Sequence, residues 1–173
     1  MGTTFTLRIP LSISILETFS FLCAGRTFVV PLAMVEEIVE LDAASVFSAP
    51  RPRALRSEAR MLRRRGEAIP LFDLRALLSE GEINAASDAA AHVPGSNPSA
   101  LIVRRNGKPF AFAVDRMLGQ QEVVIRPLDD ILVKVPGISG TTDLGDGLPT
   151  LVLDLSGLAG VRSQSFTLHE ESV

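Results

Sequence analysis

The stretch "LIVRRNGKPFAFAV", Leu101 to Val114, decides how this chain is read. Asn-Gly at its centre is the strongest short-range signal for a two-residue hairpin, because the type I′ turn needs positive φ at both positions and these residues tolerate it. Apolar residues alternate on both sides, as half-buried antiparallel strands require. Asn106-Gly107 therefore closes a hairpin. Working outward, "GKPFAFAVDRM" (Gly107 to Met117) lies over "GRTFVVPLAMV" (Gly25 to Val35), with Gly107 on Gly25, Phe110 on Phe28, Val114 on Leu32 and Met117 on Val35 at one offset. Next, "GEAIPLFDLRALL" (Gly66 to Leu78) lies over "GLPTLVLDLSGLA" (Gly147 to Ala159), with Asp73 on Asp154 and Leu74 on Leu155, at an offset one residue shorter. Two blocks at nearly the same separation mark one duplicated unit, too few copies for a solenoid.

Each unit has the same local grammar. Gly25, Gly66, Gly107 and Gly147 sit at strand corners, the last in an Asp146-Gly147 pair. Leu at spacings of three and four after Asp73 and Asp154 predicts a short helix there, with the aspartates as N-caps. Short strands closed by tight turns predict an all-β fold with short helices, built as a pair of small antiparallel barrels. Phe28, Val30, Leu32, Phe110, Phe112, Val114, Leu151 and Leu153, at period two, are expected to fill the barrel interiors.

Composition excludes several classes. The 173 residues are 46 % apolar, enough for a buried core, and the net charge of −3 gives no general attraction to nucleic acid or anionic lipid. Cys23, the single cysteine, forms no internal disulfide and reads as a small buried apolar residue in a reducing cytoplasm. "PLSISILETFSFLCAG" (Pro10 to Gly25) is too short to span a bilayer and Glu17 interrupts it. No phosphate loop or dinucleotide fingerprint occurs. His92, in the Ser79 to Ala100 connector, and His169, in the tail, stand apart from any ligand set or triad. No catalytic residue, cofactor or metal is expected. "RPRALRSEARMLRRR" (Arg51 to Arg65) reads as a phosphate-binding patch or as a solvated loop and outer strand face. No aromatic is interleaved to stack on bases, so nucleic acid is not expected.

The run "GQQEVVIRPL" (Gly119 to Leu128) places Val123 and Ile125 on one strand face and Glu122, Val124 and Arg126 on the other. Followed by "VPGISGTTDLGDGLPTLVLDL", with Gly137, Gly140, Thr142, Leu144 and Gly147 in register, it resembles the CheW-like domain family, specifically the C-terminal regulatory domain of CheA-type chemotaxis histidine kinases. "FVVPLAMVEEIVEL" and "RGEAIPLFDLRALL" resemble the family's earlier blocks, so the likeness runs from about Gly2 to Gly160, weakening at Ala43 to Arg60 and Ser79 to Ala100. It implies two SH3-like five-stranded barrels, with one barrel half in 13–80, a connector in 81–100, the other half in 101–161 and a tail in 162–173. "GTTFTLRIPL" resembles the last strand of the kinase's ATP-binding domain, which makes 1–12 a remnant of that domain and its link.

What the resemblance implies is a cytoplasmic scaffold without catalysis of its own. It binds a CheW-type adaptor and chemoreceptor cytoplasmic tips, joins the remainder of the kinase chain, and works in arrays beneath the membrane without inserting. A free-standing CheW-type coupling protein and a small-barrel nucleic-acid binder using the arginine run are the alternatives. Apolar groups left over by alternation, Ile38, Val39 and Leu41 in the first barrel and Val124 in the second, are the candidate partner contacts. Val123 and Ile125 are expected to fill the second barrel. Gln120 and Gln121 are then hydrogen-bonding groups at its mouth or at the junction, or else a solvated polar turn.

Overall fold

The computed structural model describes residues 2–3, 6, 14–49, 59–79, 98–127, 137–145 and 147–159. Most of the expected segments 1–12, 81–100 and 162–173, with His92, His169 and Asp146, lie outside them. In chain order the strands are β1 (Ser14–Cys23), β2 (Arg26–Pro31), β3 (Glu37–Glu40), β4 (Val46–Ala49), β5 (Ala59–Arg64), β6 (Glu67–Asp73), β7 (Ser99–Arg105), β8 (Lys108–Val114), β9 (Arg116–Pro127), β10 (Ile138–Asp143) and β11 (Pro149–Leu153). A 3-10 turn, Leu32–Met34, follows β2. Helix α1 (Leu74–Ser79) follows β6, and a second helix, α2, covers 155–159.

Two curled sheets result, but they do not follow the sequence halves 13–80 and 101–161. One is a closed barrel in the order β1-β2-β11-β10-β9; the other is a six-stranded sheet in the order β3-β7-β8-β6-β5-β4. Each is therefore completed by the other copy: the hairpin of one unit pairs with the later strands of its twin. The exchange makes one junction in each sheet parallel, contrary to the all-antiparallel expectation. Val152 pairs with Val29 where β11 meets β2, and Leu71 pairs with Ala111 where β6 meets β8. These two pairs are equivalent under the sequence offsets, so the duplication holds in the pairing register.

The second sheet has six strands, not five, because the counterpart of the long β9 is broken. Asp42 and Ser45 form a turn, with the Ser45 N–H donating to Asp42 Oδ1 (2.6 Å) and the Asp42 N–H to Ser45 Oγ (3.3 Å). That turn divides the stretch into β3 and β4, the two edges of the sheet.

The side chains at period two fill a different space from the one expected. Phe28, Val30, Phe110, Phe112, Val114 and Leu153 do not line barrel interiors; with Phe21, Cys23, Leu101 and Val103 they form one core shared between the sheets. Phe21 stacks on Phe28 with centroids 6.1 Å apart, and Phe72 packs against Phe112 at 5.7 Å. Leu151 reaches this core half-buried, and Leu32 sits half-buried in the 3-10 turn instead of in a strand. Their neighbours on the opposite strand faces fill the barrels: Leu62, Ile69, Leu71, Ala100, Ile102 and Ala111 in the second sheet, and Thr18, Ser20, Val29, Val123, Thr142, Thr150 and Val152 in the closed barrel. The hairpins are apolar on both faces, which is why one set of residues could be mistaken for the other.

Turn chemistry matches the sequence. Ala24-Gly25, Arg65-Gly66 and Asn106-Gly107 all have positive φ at both positions, as the type I′ turn demands, and Gly147 also lies in the left-handed region. Both helices are capped as expected, the Arg75 N–H donating to Asp73 Oδ1 (3.0 Å) and the Gly157 N–H to Asp154 Oδ1 (2.9 Å). Gly140 has another reason: a Cβ there would lie 2.7 Å from the Arg126 carbonyl oxygen and 3.0 Å from Ile125 Cγ2. Gly140→Ala should cost about 1–3 kcal/mol, the usual range for overpacking. Denaturant midpoints at unchanged m-value check this.

Candidate docking face

Strand β9 decides what the closed barrel shows to solvent. It pairs with β1 from Ser14↔Ile125 to Leu22↔Arg116, with a bulge at Leu118 opposite Ser20 and Phe21. Directly paired residues share a face. By this alternation Thr18 and Gln121 share the inner face with Val123 and Leu16, of which Leu16 is still 39 % exposed, while Ile15 with Val124 and Glu17 with Glu122 share the outer face. Val123 is 5 % exposed and Ile125 half-buried. The barrel they occupy is thus the one begun by the β1–β2 hairpin.

On the outer face Ile15 is 61 % exposed and Val124 46 %, an apolar pair with no covering element among the described residues. Glu17 and Glu122, also exposed, face each other beside it. Like charges directly opposite are unfavourable, and a basic group from outside would relieve them. The other candidate contacts are differently placed. Ile38 packs on the shared core, and Val39 and Leu41 on the interior of the second sheet, all half-buried. Ile15 and Glu17 were missed in the sequence, because the apolar run around them hid the alternation of Ile15 and Glu17 with Leu16 and Thr18.

The glutamines divide. Gln120 is exposed opposite Phe19, whereas Gln121 is half-buried opposite Thr18, whose Oγ1 donates to the Gln121 carbonyl (3.0 Å). The Gln121 amide nitrogen is buried and has no hydrogen-bond partner among the described residues. The contact to β1 runs through its backbone.

Charged groups elsewhere are largely engaged within the fold. Asp115 takes both its carboxylate oxygens to Arg75 Nη2 (2.9 Å each), accepts from the Ala24 N–H (2.9 Å) and donates its own N–H to the Leu22 carbonyl (3.0 Å). It thereby ties the β1–β2 turn of the closed barrel to α1. Glu36 pairs with Arg104 (2.8 Å), and Glu37 with Arg64 and Arg65. Hydrogen bonds from Arg104 and Arg64 hold these two glutamates below their ordinary range. Arg63 lies over the Phe47 ring at 5.3 Å. Three of the four described members of the arginine run are thus spent on internal contacts; Arg60 lines a cavity of about 360 Å³ with Leu41, Val46, Asp73, Arg75 and Asp115. Arg51, Arg53 and Arg56 lie outside the described residues. Cys23 is fully buried, and burial, followed by the charge of Asp115, pushes its thiol up to about 12. No helix among the described residues is long and apolar enough to cross a membrane.

Two sheets that exchange hairpins, with this run of residues on β9, meet a known pattern: residues 17–162 match the CheW-like domain. The chain belongs to the CheW-like domain family. It is 33 % identical over 166 residues to chemotaxis protein CheA of Salmonella typhimurium, covering 94 % of this chain and 22 % of that protein. It is 32 % identical over 165 residues to chemotaxis protein CheA of Rhizobium meliloti, covering 95 % of this chain and 20 % of that one. This CheW-like chain thus spans about a fifth of the length of these relatives. Among solved structures the scaffolding protein TtCheW from Thermoanaerobacter tengcongensis superimposes with a TM-score of 0.55 at 16 % identity, over 82 % of this chain and 90 % of that one, a likeness of fold.

Two pH-linked outcomes follow from the charged groups. The folded glutamates Glu36 and Glu37 have lowered pKa values, so their contribution is complete above the ordinary value of 4.5 and is lost as pH falls through the folded values; Glu37→Gln should flatten acid unfolding below pH 4.5. For Cys23 the sign is reversed: its contribution is complete below 9.0 and is lost as pH rises toward about 12. Alkylation of the native protein at pH 8 should therefore be slow, with rapid labelling only in denaturant.

Proposed function

We propose that this CheW-like domain is the regulatory, adaptor-binding module of a chemotaxis histidine kinase, and that it docks a CheW-type adaptor on the outer face of β1 and β9. The observation that carries the docking site is the exposed Ile15–Val124 pair beside the opposed Glu17 and Glu122. A partner offering an apolar side chain and a nearby basic group complements both features. Identities of 33 % and 32 % to two CheA proteins, against 16 % to the scaffolding protein TtCheW, support a kinase module over a free-standing coupling protein. On this reading the module works in the cytoplasm at receptor arrays, coupling chemoreceptor tips to the remainder of the kinase chain, and transfers no phosphate itself. Ile38, Val39 and Leu41 spend their side chains in packing, so Val124 is the docking residue retained from the four.

Calorimetric titration with the cognate CheW-type adaptor tests this. Ile15→Thr with Val124→Thr should weaken binding by at least about tenfold, as loss of a central apolar anchor does, while the unfolding free energy stays within about 0.5 kcal/mol of the parent. Glu17→Lys should weaken it as well, by turning attraction for a basic group into repulsion. Unchanged affinity in both variants would remove this face from the interface. Binding to duplex DNA that falls steeply with salt would instead favour the nucleic-acid reading.

A further inference from the structure

The two sheets differ in what fills them. Sequence offsets and pairing make Thr18 equivalent to Ala100, Ser20 to Ile102 and Thr150 to Ile69; Thr142, which pairs with Thr150, is then equivalent to Leu62, which pairs with Ile69. All eight residues are buried. Four positions that are aliphatic in the second sheet thus carry hydroxyls inside the closed barrel. Three of these donate to carbonyls of β9: Thr18 Oγ1 to Gln121 (3.0 Å), Ser20 Oγ to Gly119 (3.2 Å) and Thr142 Oγ1 to Val124 (2.8 Å). Water can replace such bonds when a barrel opens, whereas exposing Leu62, Ile69 and Ile102 has no comparable compensation.

The same barrel has a short seam. Among the described residues β9 and β10 pair through Gly140↔Pro127 and Thr141↔Arg126, with the Thr142 hydroxyl bond to the Val124 carbonyl beside them, and Pro127 has no N–H to give. The equivalent junction in the second sheet, β4 with β5, carries four register pairs from Val46↔Leu62 to Ala49↔Ala59. Neither β9 nor β10 places a buried residue in either apolar cluster; only Met117 and Ile138 reach the shared core, and only in part. Few buried apolar contacts and a short ladder are the physical marks of a low-energy opening.

We propose that the closed barrel is the yielding half of the molecule: β10 separates from β9 along this seam and admits water to the hydroxyl-lined interior. The β1–β9 ladder, the second sheet and the shared core stay folded meanwhile. The opening requires no partner and does not depend on what docks at Val124.

Native-state amide exchange on the full chain, followed across low denaturant concentrations, tests it. The amides of Arg126, Thr141 and Thr142 should exchange at least about tenfold faster than those of Leu101–Val103 and Phe110–Phe112, with a weaker denaturant dependence. Thr142→Val, which removes one hydroxyl bond across the seam, should speed the seam amides about fivefold and leave β7 and β8 unchanged. Thr150→Ile, which installs the residue of the second sheet, should slow them. Seam amides that exchange at the β7–β8 rate with the same denaturant dependence would overturn the proposal, as would variants that shift both sets of amides equally.

Discussion

A β-hairpin apolar on both faces has to be covered twice, and the two hairpins of this chain are covered on one side by each other. β1–β2 turns Phe21, Cys23, Phe28 and Val30 toward the shared core and Thr18, Ser20 and Val29 into its barrel; β7–β8 does the same with Leu101, Val103, Phe110 and Phe112 against Ala100, Ile102 and Ala111. Burying each of the larger apolar side chains contributes roughly 1.5–3 kcal/mol, so the shared layer outweighs any single turn or ion pair. Strand exchange follows from it. With the hairpins back to back, the later strands of each unit complete the sheet begun by the other, and the parallel junctions β2–β11 and β6–β8 appear where the returning strand meets the foreign hairpin.

This arrangement determines which surface remains for a partner. β9 is held by β1 on one side and by β10 on the other, and its inner face is used by Val123 and Gln121. Among the described residues nothing covers its outer face, and there Val124 and Ile15 stand beside opposed glutamates. The hydroxyls that secure β9 from inside and the docking residue on its outside belong to one strand. Asp115 adds a polar link of the same kind: by gripping Arg75 and the Ala24 N–H it ties the closed barrel's first turn to α1.

Local structure was legible in the sequence wherever a single residue type has a single conformational use. Asn106-Gly107 announced its turn, Asp73 and Asp154 announced their helices, and the repeated blocks announced the duplication. Alternation, by contrast, separates two strand faces without saying which one looks into a barrel. Phe28, Phe110 and Phe112 alternate at period two and so fit barrel filling by pattern, yet their size suits the broad layer between sheets, and Val29 and Ala111 suit the narrow interiors. Leu32 was lost to a 3-10 turn after Pro31, where the strand pattern still looked intact. The split of β3 from β4 rests on a side-chain turn at Asp42 and Ser45, which only pairing reveals. Strand exchange itself leaves no local signature, because each strand's own residues are the same whichever copy covers them.

The exchange is tested most directly by methyl–methyl nuclear Overhauser contacts in a selectively labelled sample. Cross-peaks between Val29 and Val152, and between Leu71 and Ala111, are what interleaved sheets with parallel junctions require. Their absence, with contacts instead joining Val29 to Leu71 within the first copy and Ala111 to Val152 within the second, would show that each half folds on itself and would contradict the account.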